Sequence, residues 1–452
     1  MALADELSGF VHGLRLKDVP ADTVARTKTL VLDALACMIA GVDTEGAGIA
    51  LRSVTPPHPG AAATVAVHGL RMDPADAALV NGAMLRSLDM MDTYVSLDVC
   101  HPSEVVPAAL AAAEAGGSSG SDFLSATVAG LALHQALANT LPLHRHGLHH
   151  AGQAAWTVAP VAGRLLKGTP EDSARAMTIT AHRLLVPESF ARGQLTNLKA
   201  LAYPLLAREA IDALRLARAG LTGSASACED VLALLTERFG MSINPRTLLP
   251  QLPIDLSTIT LKMYPAQYAL QPLIAAACSA QGPSAQPTSE IERVVVQASR
   301  RTVERTADLA KYAPAGPEAA DHSLPFCVAV ALMDGALTPE ALQRGRWAEP
   351  KTLALMQRIV ALPVDGTTGY QVGHQQMELH FKDGTTQSLS CSYPPSGETP
   401  SSIAQRKLRA AAQGRVDADL ILHLILNLED EADLSRLVAA CVAFDRTTRK
   451  SG

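Results

Sequence analysis

Aromatic residues are scarce in this chain: two Trp, seven Tyr and seven Phe, or 4% of 452 residues. Alanine and aliphatic side chains must therefore fill the core, which favours closely packed helices over sheets built on aromatic pairs. Charge is also scarce, at 18% against 48% hydrophobic residues, and that excludes a disordered chain. The net charge is −6 and no Lys/Arg-rich block occurs, so no nucleic-acid partner is expected. The seven cysteines are scattered, odd in number and free of any C-x-x-C. They read as free thiols of a reducing compartment rather than a disulfide framework. No apolar tract is long and uncharged enough for a membrane span, and "MALADELSGFVHGLRL" lacks the pattern of a secretory signal. A cytoplasmic protein with no membrane partner is expected. The dinucleotide fingerprint G-x-G-x-x-G and the P-loop are missing as well, so no nucleotide cofactor is called for.

What is present is helical periodicity, in a length that suits two domains. From residue 20 to about 255 the pattern is helical with short breaks. "PADTVARTKTLVLDALACMIAG" stops at Gly41; "MDPADAALVNGAMLRSLDMMDT" opens with Asp73 as N-cap and Pro74 at the first helical position; "TPEDSARAMTITAHRLL" opens with a capping signature at Thr169. The style changes near residue 256. "EIERVVVQAS" is a β-branched run, and "QQMELHFKDGTTQSLSCSY" alternates around Asp383-Gly384, a hairpin signal. The expected architecture is mainly α: a large helical domain of residues 1–255 and 397–452, with an inserted smaller α+β lid of residues 256–396.

Three stretches could carry chemistry. In "SLDMMDTYVSLDVCHPSE", Asp89, Asp92 and Thr93 share one face if the helix persists, and otherwise the two acids are solvated. His101 precedes Pro102 and an alanine-rich helix. The positive end of that helix suits a substrate carboxylate and lowers the imidazole pKa, though a simple cap would look the same. Lys199 is the only charge between Arg192 and Arg208, and Lys262 the only one between Asp255 and Glu290. Each either snorkels to water or faces an anion. The third stretch, "HRHGLHHAG", holds His144, His146, His149 and His150. Its spacing fits no zinc motif and the next acid downstream is Glu171, so most of the four are expected on a solvated loop, with no metal.

In order, "LVLDALACMIAG", "NGAMLRSLDMMDT", "HPSEVVPAALAAAEAGGSSGSDFLSATVAG", "GLHHAGQAAW", "LTNLK", "LKMYPAQ" and "HSLPFCVAVALMDGALT" resemble the MmgE/PrpD family across residues 5 to 430. The resemblance implies a cofactor-independent homodimer acting on a small di- or tricarboxylate. The expected reaction is dehydration of the 2-methylcitrate type; decarboxylation of cis-aconitate, epimerisation of iminodisuccinate or carboxylate binding without turnover are the alternatives. By matching position it assigns His101 to proton transfer, tuned by Asp89 and Thr93. His149, Lys199 and Lys262 would hold carboxylates. The chain departs from its relatives at Met91, at His150-Ala151 in place of Pro-Thr, at Gln267, and at Phe326, where the decarboxylases carry Tyr. Gln267 and Phe326 are expected on the pocket wall.

Overall fold

The structure is a computed structural model that describes residues 2–55, 60–281, 286–364 and 375–444. Helices dominate, as the composition requires. The Pro74–Arg86 helix is buried along its whole length, with Asp73 capping Ala75 N–H and Pro74 at the first turn. Around it pack the helices Ala21–Ala40, Val106–Ala115 and Leu198–Arg218. Their small residues set the spacing. A Cβ on Gly82 would meet Pro204 at 2.9 Å, and Gly46 lies between Ser87 and Ala200. The Pro74–Arg86 and Leu198–Arg218 helices therefore run antiparallel, bringing Arg86 and Lys199 to the same end of the pair. Gly41 ends its helix in an ordinary right-handed conformation, not a left-handed cap. Its glycine is needed because a Cβ there would stand 2.0 Å from Met84 O.

The segment from 20 to 255 is less uniformly helical than its pattern implies. "ATVAVHGLRM" forms a short antiparallel pair, β1 (Ala63–Val65) with β2 (Leu70–Met72). A second pair, β3 (Tyr94–Val95) with β4 (Val99–Cys100), brackets the stretch before His101. Residues this short in run length carry no period that distinguishes strand from turn.

The main sheet has the order β6-β5-β7-β8, from β5 (Ile291–Ser299), β6 (Ile359–Val364), β7 (Gln376–Phe381) and β8 (Thr386–Ser390). β5 and β6 are parallel, with Val294 opposite Ile359; β7 is antiparallel to both β5 and β8. The β7–β8 turn falls at Asp383-Gly384, where Gly384 has φ 83° and Asp383 accepts from Thr385 N–H. Val294, Val296, Met377, Leu379 and Phe381 fill the buried face.

The last helices return to the first ones. Pro400–Ala412 packs along Ala21–Ala40, and buried Lys407 pairs with buried Asp33 while donating to Met90 O at 2.6 Å. Val67 bonds Cys441 O and Ala443 N through its own N–H and C=O.

Candidate active site

The site begins where the Pro74–Arg86 helix stops. Asp89 does not continue the helix: its φ is 47°, a left-handed conformation that an Asp tolerates better than most residues. Asp89, Asp92 and Thr93 consequently do not share a helix face, and neither acid is solvated. Thr93 pairs with Thr260 through reciprocal backbone bonds of 2.7 and 2.8 Å. That bridge draws the 260–266 loop across the Asp89 turn. The Gln271 side chain fixes the loop from behind, bonding the backbone of Met263, Tyr264 and Ala266. Lys262 is thus set beside Asp89, donating to its carbonyl at 2.8 Å and lying 3.1 Å from its carboxylate.

Lys199 enters from the Leu198–Arg218 helix, 2.7 Å from Asp321 and 3.9 Å from Asp89. Asp321 and His322 precede the Leu324–Asp334 helix, and Gln267 N–H bonds Asp321 O. Both lysines are buried and paired rather than snorkelling. Burial works to raise the Asp89 pKa, but Lys199, Lys262, His322 and Arg86 outweigh it and hold the carboxyl well below its usual range. Burial, against Asp89, lowers the Lys262 pKa.

His101 is buried, and its Nδ1 lies 2.6 Å from the Asp92 carbonyl, with Thr93 Oγ1 at 3.3 Å. A carbonyl can only accept, so Nδ1 carries the proton and Nε2 keeps a lone pair. The group that orients His101 is therefore the Asp92 backbone with Thr93, not the Asp89 side chain. The Asp92 carboxylate in turn is held by Ser103 N–H and Oγ. Burial is the leading cause of the low His101 pKa, reinforced by Lys262 and Arg86, while Asp89 and the Asp92 carbonyl oppose it.

Three of the four clustered histidines are buried as well, contrary to a solvated loop; only His146 is half-buried. Two short 3-10 turns, Leu143–His146 and His150–Gln153, fold them inward. Acids upstream in sequence, Asp98 and Glu104, meet them. His144 Nδ1 is 2.7 Å from Asp98, and His150 Nε2 is 3.5 Å from Glu104. The ligand atoms of His144, His149 and His150 come within 4.8 Å of one another, near enough to suggest a metal. His149 does not fit that role: its Nδ1 accepts from Ala151 N–H at 3.0 Å, so Nε2 bears the proton and is a donor. In the second such group, Asp89, Asp321 and His322, the Lys199 ammonium already supplies the cation.

These residues line a cavity of about 100 Å³. Thr93, His101, His149, Lys199, Lys262 and Gln267 all face it, together with Asp89. Gln267 Oε1 is occupied by Ala269 N–H. Phe326 does not reach the cavity. It is fully buried one turn into the Leu324–Asp334 helix, whose capping Ser323 bonds Phe326 N–H and turns the ring into the packed interior. Met91 is also off the wall, with its sulphur 3.7 Å from Arg86 Nη1.

Sequence reasoning missed Arg86, Arg301 and Arg305, which also line the cavity. Arg86 looked like one more polar helix residue. Arg301 and Arg305 lie on a short helix after β5, where Arg300–Thr306 reads as a solvated charge run. With them, the described wall carries five cationic side chains and one carboxylate. One spelling also misleads: Gly116–Gly120 reads G-x-S-x-G, but Ser118 is buried between two helices and donates to Leu165 O.

Sequence profiles of the MmgE/PrpD N-terminal and C-terminal domains match residues 5–236 and 264–430. A cis-aconitate decarboxylase of Homo sapiens is 25% identical over 465 residues, covering 96% of this chain and 94% of that protein. The cis-aconitate decarboxylase of Mus musculus is 24% identical over 489 residues, covering 100% and 96%. A cis-aconitate decarboxylase-like protein of Aspergillus oryzae is 28% identical over 185 residues, 38% of each chain.

Proposed function

The chain belongs to the MmgE/PrpD family, and we propose that its cavity makes it a lyase of small di- or tricarboxylates. The observation that carries this reading is the described wall itself, with five cations against one carboxylate. Such a wall suits a polyanion, and Arg86, Lys199, Lys262 and Arg305 are already held by Asp89, Asp321 and Glu188, so little reorganisation of these four accompanies binding.

The leading reaction is dehydration of a hydroxy-tricarboxylate of the 2-methylcitrate type. His101 Nε2 takes the proton from the carbon next to a carboxylate. The enolate-like charge forms beside Lys262 and Arg86. Its electron pair makes the new double bond as the C–O bond breaks, and the hydroxyl leaves with the proton from His101 as water. His149 Nε2–H donates to a substrate carboxylate. The chain's own side chains supply each of these parts, and the protein acts as a homodimer in this reading. A lone-pair base in the cavity is the feature that favours proton abstraction first. Decarboxylation is the second reading, favoured by the names of the two relatives that span nearly the whole chain. There a C–C bond breaks, CO₂ leaves, and the allylic carbanion takes a proton.

The test is a panel of 2-methylcitrate, citrate and cis-aconitate, followed by NMR with absorbance of the conjugated product. Released CO₂ identifies decarboxylation, and solvent deuterium uptake without net product identifies epimerisation. A rise in melting temperature without turnover identifies a binding protein. His101→Gln is expected to lower turnover about 10²–10⁴-fold while carboxylate binding persists. Lys262→Met is expected to weaken binding. Wild-type turnover in both variants would sink this site.

A further inference from the structure

Four buried polar atoms without a standard hydrogen bond lie together behind the cavity: Arg86 Nε, both Glu104 carboxyl oxygens and His150 Nε2. Their arrangement can be read from the far end of a chain of contacts. Asp98 is surrounded by donors: Val99 N–H at 2.9 Å, His144 N–H at 3.3 Å and the His144 ring. It is an acceptor, so His144 Nδ1 carries a proton, and in the neutral ring His144 Nε2 is a lone pair. That lone pair faces His150 Nδ1 at 3.5 Å, so His150 Nδ1 must donate. His150 Nε2 is then a lone pair as well, 3.5 Å from Glu104 Oε2. Two acceptors cannot satisfy each other, so between neutral rings only an acid can close the chain; an imidazolium at His144 would run the donors the other way and leave Glu104 ionised.

We propose that Glu104 is a protonated carboxylic acid that donates to His150, and that its neutrality leaves the charge of Arg86 to the anion in the cavity. Glu104 Oε1 lies 3.0 Å from Arg86 Nε, and Arg86 reaches Asp89 at 3.6 Å while lining the cavity itself. An ionised Glu104 would cancel that guanidinium; a neutral acid at the same distance does not. Glu104 acts through His150 and Arg86, so it is a positioning residue. The groups facing it bear this out. Burial pushes its carboxyl up to about 8; Arg86 and Lys262 oppose the rise, Asp89 and Asp92 add to it, and the Tyr203 hydroxyl and Cys100 thiol complete the surroundings. The inference rests on the proposed carboxylate cavity for its purpose, but not for the protonation itself.

Two measurements separate these. Infrared spectra of the unliganded protein near neutral pH should contain a protonated-carboxyl band that is missing in Glu104→Gln. The difference spectrum distinguishes it from any other buried acid. His150→Phe gives an independent handle: it removes the acceptor of the Glu104 proton, so the carboxyl band should shift in frequency. No such band in the wild type, or a band unchanged in both variants, overturns the proposal, and His150→Phe decides alone if Glu104→Gln does not fold. The second measurement is calorimetric binding of tricarballylate, a saturated tricarboxylate without a hydroxyl to lose. Wild-type affinity should fall about tenfold as pH rises through the titration of Glu104, a change of about 1.4 kcal/mol; Glu104→Gln should show no such fall. Equal pH dependence in both proteins overturns the role of Glu104 in anion binding. Absence of binding at every pH overturns the carboxylate reading together with that role, while the infrared result still decides whether Glu104 is an acid.

Discussion

A histidine acts as a base only in the protonation state its neighbours impose. His101 is neutral because it is buried beside Lys262 and Arg86, which lowers its pKa well below the ordinary imidazole value. A base of lowered pKa stays active until the pH falls through that lowered value. The acid limb of a kcat–pH profile is therefore expected well below pH 6.5, the ordinary histidine value; a limb at the ordinary value would show that the site is wetter than its structure. Lys199 and Lys262 stood out in the sequence as lone charges in apolar surroundings, and His101 by its place before an alanine-rich helix. Their partners did not. Asp98 and Glu104 precede the histidine cluster by some forty residues, and no periodicity links them to it. The departure at His150 was visible, but its consequence depends on ring contacts between residues 98, 104 and 144 that only the fold creates.

Among the elements, those with local chemistry were the readable ones. The Thr169 capping box, with Thr169 and Asp172 satisfying each other's backbone, and the Asp383-Gly384 hairpin both formed as their side chains require. The end of the Pro74–Arg86 helix was not readable. No Gly or Pro marks it, and "SLDMMD" keeps an apolar spacing that would support another turn. The helix stops because the Thr93–Thr260 bridge and two buried lysines claim Asp89. Close helix approach has its own check. Gly41→Ala places a methyl against Met84 O, and the backbones of two buried helices must part. A loss of about 1–3 kcal/mol in urea unfolding is expected. An unchanged midpoint would mean that the helices do not meet there.

Over the whole molecule, composition and pattern disclosed a mainly helical protein with a late β unit, because hydrophobic period is a property of the chain alone. Which helices become neighbours is not, since alanine-rich faces fit many partners. The Lys407–Asp33 pair shows what the sequence withholds: two ordinary charges 374 residues apart, both buried. Lys407→Met leaves Asp33 buried without its cation and should cost about 3–5 kcal/mol in chemical denaturation. Adding Asp33→Leu should recover part of that loss, and a double variant as unstable as the sum would argue against the pairing.

The same lysine binds Met90 O, next to Asp89, and Val67 takes its backbone partners from Cys441 and Ala443. The turn that carries Asp89 is thus braced by a residue 317 positions later than Met90. During synthesis the N-terminal helices emerge with Asp33 uncompensated and the Asp89 turn unsupported, several hundred residues before either is secured. A chain cut short after the sheet would retain every residue assigned to the chemistry and lack the brace beneath it.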